Sequence, residues 1–147
     1  MAKLLATAYE TGKSDVVISR KPTGGTALQE GLFVKQAAEG FVSLANASAS
    51  AAPFGVMAQQ EAVACGVRIS GMKVAVQLDT GITPAAGEVV YCSAVTNKAT
   101  NTSNSAANPA TAATFTGVIG TDGISDNVSG STSTSVRWAE VNMPNGL

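Results

Sequence analysis

Side chains with reactive potential are few and scattered in this chain. It contains no histidine, so the commonest general base and the commonest metal ligand are both missing. Asp79-Thr80-Gly81 carries the letters of an aspartic-protease site. With no second copy and no long lobe around it, the triplet reads as a turn after a strand. Asp122-Gly123 and Asp126-Asn127 suggest turns, or at most a loose calcium loop without EF-hand spacing. Cys65 and Cys92 lack metal-ligand spacing and are too few for a disulfide framework, so they read as reduced, buried thiols. Asn46-Ala47-Ser48, Asn101-Thr102-Ser103 and Asn127-Val128-Ser129 fit the glycosylation triplet, which a chain rich in Asn, Ser and Thr produces freely. No G-x-S-x-G, H-E-x-x-H or phosphate-cradling glycine loop occurs. The sequence thus offers no catalytic, cofactor-binding or metal-ligating residues, and it argues against an enzyme.

Composition narrows the partners. Only 13% of residues are charged and 5% aromatic, against about 25% charged in ordinary soluble domains. Such a surface repels neighbours weakly and suits packing against other protein. A net charge of −1 argues against nucleic acid, which needs a basic footprint. No apolar run approaches the roughly 18 residues that span a bilayer, so no membrane partner is expected. Residues 1–15 lack the extended apolar core of a signal peptide.

The elements that would position any site are strands. In Ser70–Ser93, Met72, Val74, Val76 and Leu78 alternate with Lys73, Ala75, Gln77 and Asp79. That period of two predicts one buried face and one face towards water. Gly81, Pro84 and Gly87 mark a turn region before a second strand over 87–92. Further strands are expected over 32–36, 41–44 and 54–58, with one or two helical turns over 59–64. The small, polar stretch 96–113 reads as an exposed loop that cannot build a core.

The two halves repeat an order. Gly31–Val34 corresponds to Gly87–Val90, Phe54–Met57 to Phe115–Ile119, and Met72–Leu78 to Thr134–Val141. Similarity this loose also arises by chance between β-rich segments. The expected fold is mainly β, a small β-barrel or sandwich built from two similar β modules. These modules, about 30–79 and 86–142, lie within one domain over 30–147.

Residues 1–29 carry a net +2 and the remaining 118 a net −3. Pro22, Gly24 and Gly25 interrupt the segment. Asp15–Ser19 could form a short strand, which Lys21–Gly25 would break at once, so the segment is expected to be an extended N-terminal arm, with a disordered tail as the alternative. As an arm it would bind a partner through Val16, Val17 and Ile18, with Arg20 and Lys21 pairing with acidic groups. Trp138, the sole tryptophan, is a core anchor by default and a subunit-interface anchor second.

One resemblance covers residues 30–142. Glu30-Gly31-Leu32-Phe33-Val34, Phe54-Gly55-Val56-Met57, Gly71-Met72-Lys73-Val74-Ala75-Val76, Ala86-Gly87-Glu88-Val89-Val90-Tyr91, Thr116-Gly117-Val118-Ile119-Gly120 and Ser135-Val136-Arg137-Trp138-Ala139-Glu140-Val141 carry it. In that order they resemble the capsid decoration, or cement, proteins of tailed bacteriophages. The resemblance implies a mainly β virion protein on the outer surface of the expanded head, assembled in the bacterial host cytoplasm. It also implies self-association, often as a homotrimer, and the major capsid protein as partner. Other virion roles (tail tube, head fibre) and a carbohydrate- or host-surface-binding β module remain open.

Overall fold

The structure is a computed structural model that describes residues 16–23, 28–45, 53–59, 65–102, 110–121 and 136–147. Nine strands lie among them: β1 (Val16–Pro22), β2 (Phe33–Ala38), β3 (Phe41–Leu44), β4 (Gly55–Gln59), β5 (Cys65–Leu78), β6 (Val89–Cys92), β7 (Ala99–Thr100), β8 (Ala110–Thr121) and β9 (Arg137–Met143). The fold is mainly β.

Strand β5 organises the rest. Its first half pairs antiparallel with β4 and with β1, and its second half pairs antiparallel with β9 and parallel with β7. Two closed five-stranded rings result. The first runs β1-β3-β2-β4-β5 and back to β1; the second runs β5-β7-β6-β8-β9 and back to β5. The kinds of pairing also match. Each ring has one parallel seam, between its first and third strands, and is otherwise antiparallel.

The duplication holds at the level of single hydrogen bonds. Gly31 N donates to Met57 O at 2.9 Å and Met57 N to Leu32 O at 3.0 Å. In the second ring Gly87 N donates to Phe115 O at 2.8 Å and Phe115 N to Glu88 O at 2.9 Å. Gly31 and Gly87 lie at φ +83° and +87°, in the left-handed region where glycine is at ease. Phe115 is therefore the counterpart of Met57, not of Phe54 as the sequence comparison has it. The first ring closes with Cys65–Ser70, whereas Met72–Leu78 opens the second ring. The sequence comparison is corrected here too: Cys65–Ser70 is the counterpart of β9, and β1 is the counterpart of Met72–Leu78.

Part of the expected arm is a ring strand. Val16–Arg20 run antiparallel to β5, and Lys21 and Pro22 lie beside Phe41 and Val42 of β3. Pro22 sits at the end of β1, where a missing N–H breaks little of the ladder. Residues 1–15 and 24–27 lie outside the described residues, as do 60–64 of the expected helical turns; Gln59 ends β4. The expected loop 96–113 is also corrected. It supplies β7 and the start of β8, with Ala99, Thr100 and Ala113 buried.

The first ring encloses Val34, Val42, Met57, Cys65 and Val67, with Ile18 packed against them. The larger second core joins Val74, Val76, Leu78, Val90, Phe115 and Val141 to Phe33, Ala45 and Val56 of the first ring. The rings thus share apolar surface as well as a strand. Where β5 passes from one to the other, its register shifts between Gly71 and Val74, and Lys73 takes φ +56°. Asn142 Oδ1 accepts the Lys73 N–H at 2.9 Å and holds this bulge.

Candidate functional site

The five arm residues expected to bind a partner divide between two faces. Val16 and Val17 are 40% and 41% exposed. Ile18 turns inward onto the first core. Arg20 is half-buried, its Nη1 donating to Ser19 O at 2.8 Å, and its own carbonyl faces Cys65 Sγ at 3.3 Å. Lys21 is exposed and holds its Nζ 6.0 Å from the centre of the Phe41 ring, a cation–π distance. The outward surface of β1 is therefore Val16, Val17, Ser19 and Lys21, with Phe41 beside Lys21. Met72, itself 37% exposed, lies two residues beyond Ser70, the partner of Val16.

Trp138 is an anchor within the chain. It is 4% exposed and packs with Ala75 and Val136 on the outside of the second ring. A Cβ built on Gly31 would lie 2.4 Å from Trp138 Cζ3 and 2.8 Å from Cη2. The indole thus fills the space over a glycine of the first ring. Ala75 and Gln77, expected to be solvated, are buried, Ala75 against this indole, whereas Lys73 of the same face is exposed.

The junction has a distinctive backbone geometry. Residues 31–33 enter the second ring between its first and third strands. Gln77 N donates to Gly31 O at 2.9 Å on one side, and Phe33 N donates to Asn97 O at 3.0 Å on the other. Gln77 Nε2 adds a bond to Glu30 O at 2.8 Å. In the first ring the equivalent seam is shut, because Lys21 N donates directly to Gly40 O at 2.9 Å. Gly31 and Gly87 are legible in the sequence but this insertion is not, since backbone-to-backbone grips leave no side-chain pattern.

Residues with chemical potential have structural partners. Asp79 Oδ1 accepts from Thr96 Oγ1 at 2.9 Å in the turn after β5. Glu88 Oε2 accepts from Ala85 N at 2.6 Å and from Asn101 Nδ2 at 3.3 Å. Cys65 and Cys92 are buried thiols outside any disulfide, and burial pushes the Cys92 thiol up to about 12. Among the described residues no group of three His, Cys, Asp or Glu is placed to hold a metal ion. The Asp122–Asn127 turns, Asn46 and Asn127 lie outside them. No helix among them is long and apolar enough to cross a membrane.

These features define a tandem β-barrel whose distinctive surfaces are backbone edges and apolar strips. No protein-family model matches the chain, and no curated protein matches it significantly.

Proposed function

We propose that this chain is a structural virion protein: a decoration, or cement, protein of a tailed bacteriophage. It binds the outer surface of the expanded head, bridges neighbouring major capsid protein subunits, and assembles in the bacterial host cytoplasm, with a homotrimer as its working form. The motif order over residues 30–142 supports this reading, together with the weakly charged composition. The observation that carries it is the exposure of the apolar side chains Val16, Val17 and Met72 on strands that are built into closed rings. A cement protein needs such a contact to be rigid, because an unordered segment would lose about 1–2 kcal/mol per residue on binding. Many modest contacts then suffice, since linked sites raise avidity by ~10²–10⁴.

Co-sedimentation with expanded heads of the encoding phage, followed by electron microscopy, tests the proposal. The full chain should add density on the outer head surface. The double variant Val16→Asp/Val17→Asp should bind about tenfold or more weakly with an unchanged melting temperature. Equal binding by the variant, or no binding by the full chain, defeats the reading.

A further inference from the structure

The two rings share one pairing order, so each position in one ring has a counterpart in the other. Gly31 corresponds to Gly87, Phe33 to Val89, Gln77 to Lys21 and Asn97 to Gly40. These four positions form the grip between the rings, yet among the described residues of one chain only one such grip is made. The first ring inserts Gly31–Phe33 into the second. The second ring's own insertion edge, Gly87–Val89, and the first ring's own seam, Lys21 beside Gly40, are left on the surface.

Burial shows the difference. Phe33 is 0% exposed in the grip, whereas its counterpart Val89 is 41% exposed. Gln77 is 5% exposed and its counterpart Lys21 is exposed. A Cβ on Gly31 would strike Trp138, but among the described residues nothing lies within 4 Å of a Cβ on Gly87. The backbone shape is nonetheless the same. Leu32 N donates to Gln29 O at 3.5 Å in one turn and Glu88 N to Ala85 O at 3.2 Å in the other, each with its glycine at positive φ.

We propose that Gly87–Val89 is a second insertion edge, and that its occupant is the β1–β3 seam of a second copy of this chain. The internal junction supplies the geometry. Lys21 N of the second copy turns from its own Gly40 O to Gly87 O, and Val89 N donates to Gly40 O, repeating the bonds from Gln77 to Gly31 and from Phe33 to Asn97. One hydrogen bond is exchanged for two, and Val89 is buried together with Phe41, itself 38% exposed. The Lys21 ammonium takes the place of the Gln77 amide and donates to Ala86 O, the counterpart of Glu30 O. The surfaces that meet are different, so the contact is head-to-tail and propagates to a closed ring or a filament. This self-association stands apart from the capsid reading and needs no capsid to be tested.

The test uses the full chain alone, in sedimentation velocity over a concentration series. The chain should associate reversibly. Val89→Asp should shift the midpoint by about tenfold or more, while Val95→Asp, at a site 87% exposed and outside both surfaces, should not. In a second arm, Val89→Cys and Phe41→Cys proteins are mixed under mild oxidation, where the native thiols are buried. Crosslinks between the two variants should outnumber those within either. Monomer alone up to about 1 mM, unchanged association of Val89→Asp, or a predominance of 89-to-89 crosslinks would each overturn the proposal.

Discussion

Replacing each of two equivalent glycines by alanine separates the cost of backbone conformation from the cost of the ring junction. Gly31 and Gly87 share a left-handed φ, +83° and +87°, so an alanine at either loses about 1–2 kcal/mol. Any gain from a less flexible unfolded chain is common to both and drops out of the comparison. Only at Gly31 does the new methyl meet Trp138, at 2.4 and 2.8 Å, and Gln77 N at 3.0 Å. The indole is buried and its neighbours include Ala75, so it has little room to yield. Overpacking of this kind costs about 1–3 kcal/mol. Gly87→Ala should therefore lower the melting temperature by roughly 2–8 °C and Gly31→Ala by roughly 4–20 °C, at 2–4 °C per kcal/mol. Thermal unfolding followed by circular dichroism reads both. Repeating the pair in a Trp138→Phe background, which lacks the two clashing carbons, should bring the Gly31→Ala loss most of the way down to that of Gly87→Ala, with only the contact to Gln77 N left. Equal losses in the native background would refute the packed junction, and so would a Gly31→Ala penalty that Trp138→Phe leaves intact.

The thiols and the first strand give two further expectations. The Cys92 thiol ionises near 12 when folded and near 9.0 when exposed. Above pH 9 the unfolded chain releases a proton that the folded chain retains, so stability should fall between about pH 9 and pH 12. Denaturant titrations across that window should show the slope, and Cys92→Ala should flatten it. Native alkylation should leave both cysteines largely unmodified until denaturant is added, since both are buried. Deleting residues 1–22 removes β1 and with it Ile18 from the first core. The melting temperature should drop by more than about 5 °C, and an unchanged value would mean that β1 is dispensable to the ring.

The legible parts of the sequence were those written in large side chains and in glycines with one conformational role. Alternating Val74, Val76 and Leu78 announced their strand, and Gly31 and Gly87 announced equivalent turns. Other parts misled for physical reasons. Val16-Val17-Ile18 shows no alternation and leads into Pro22, so β1 resembled an arm. A five-stranded ring is narrow, and small side chains fill it. Ala99 and Ala113 are such fillings, but in sequence they sit among Thr, Asn and Ser and read as a loop. The correspondence of β8 is hidden in the sequence because Phe115-Thr116-Gly117 imitates Phe54-Gly55, while the buried counterpart of Phe115 is Met57. Of the expected contact residues, Val16, Val17 and Lys21 are exposed and Arg20 is half-buried. The inward turn of Ile18 follows from a ring closure between segments distant in sequence.

Because β5 closes one ring and opens the next, the described residues form nine strands where two separate five-stranded barrels would need ten. A linker between two domains is a place where a protease can cut and where each half can melt alone. Here the chain passes from ring to ring as a hydrogen-bonded strand, paired on both sides of the Gly71–Lys73 bulge. Loss of the first ring frees half of a strand whose other half the second ring needs, so the two should unfold in a single transition. Limited digestion should follow suit and yield no stable half-molecule cut within β5. The same economy sets the cost of enlarging the architecture: each added ring requires four new strands, with the fifth already in place.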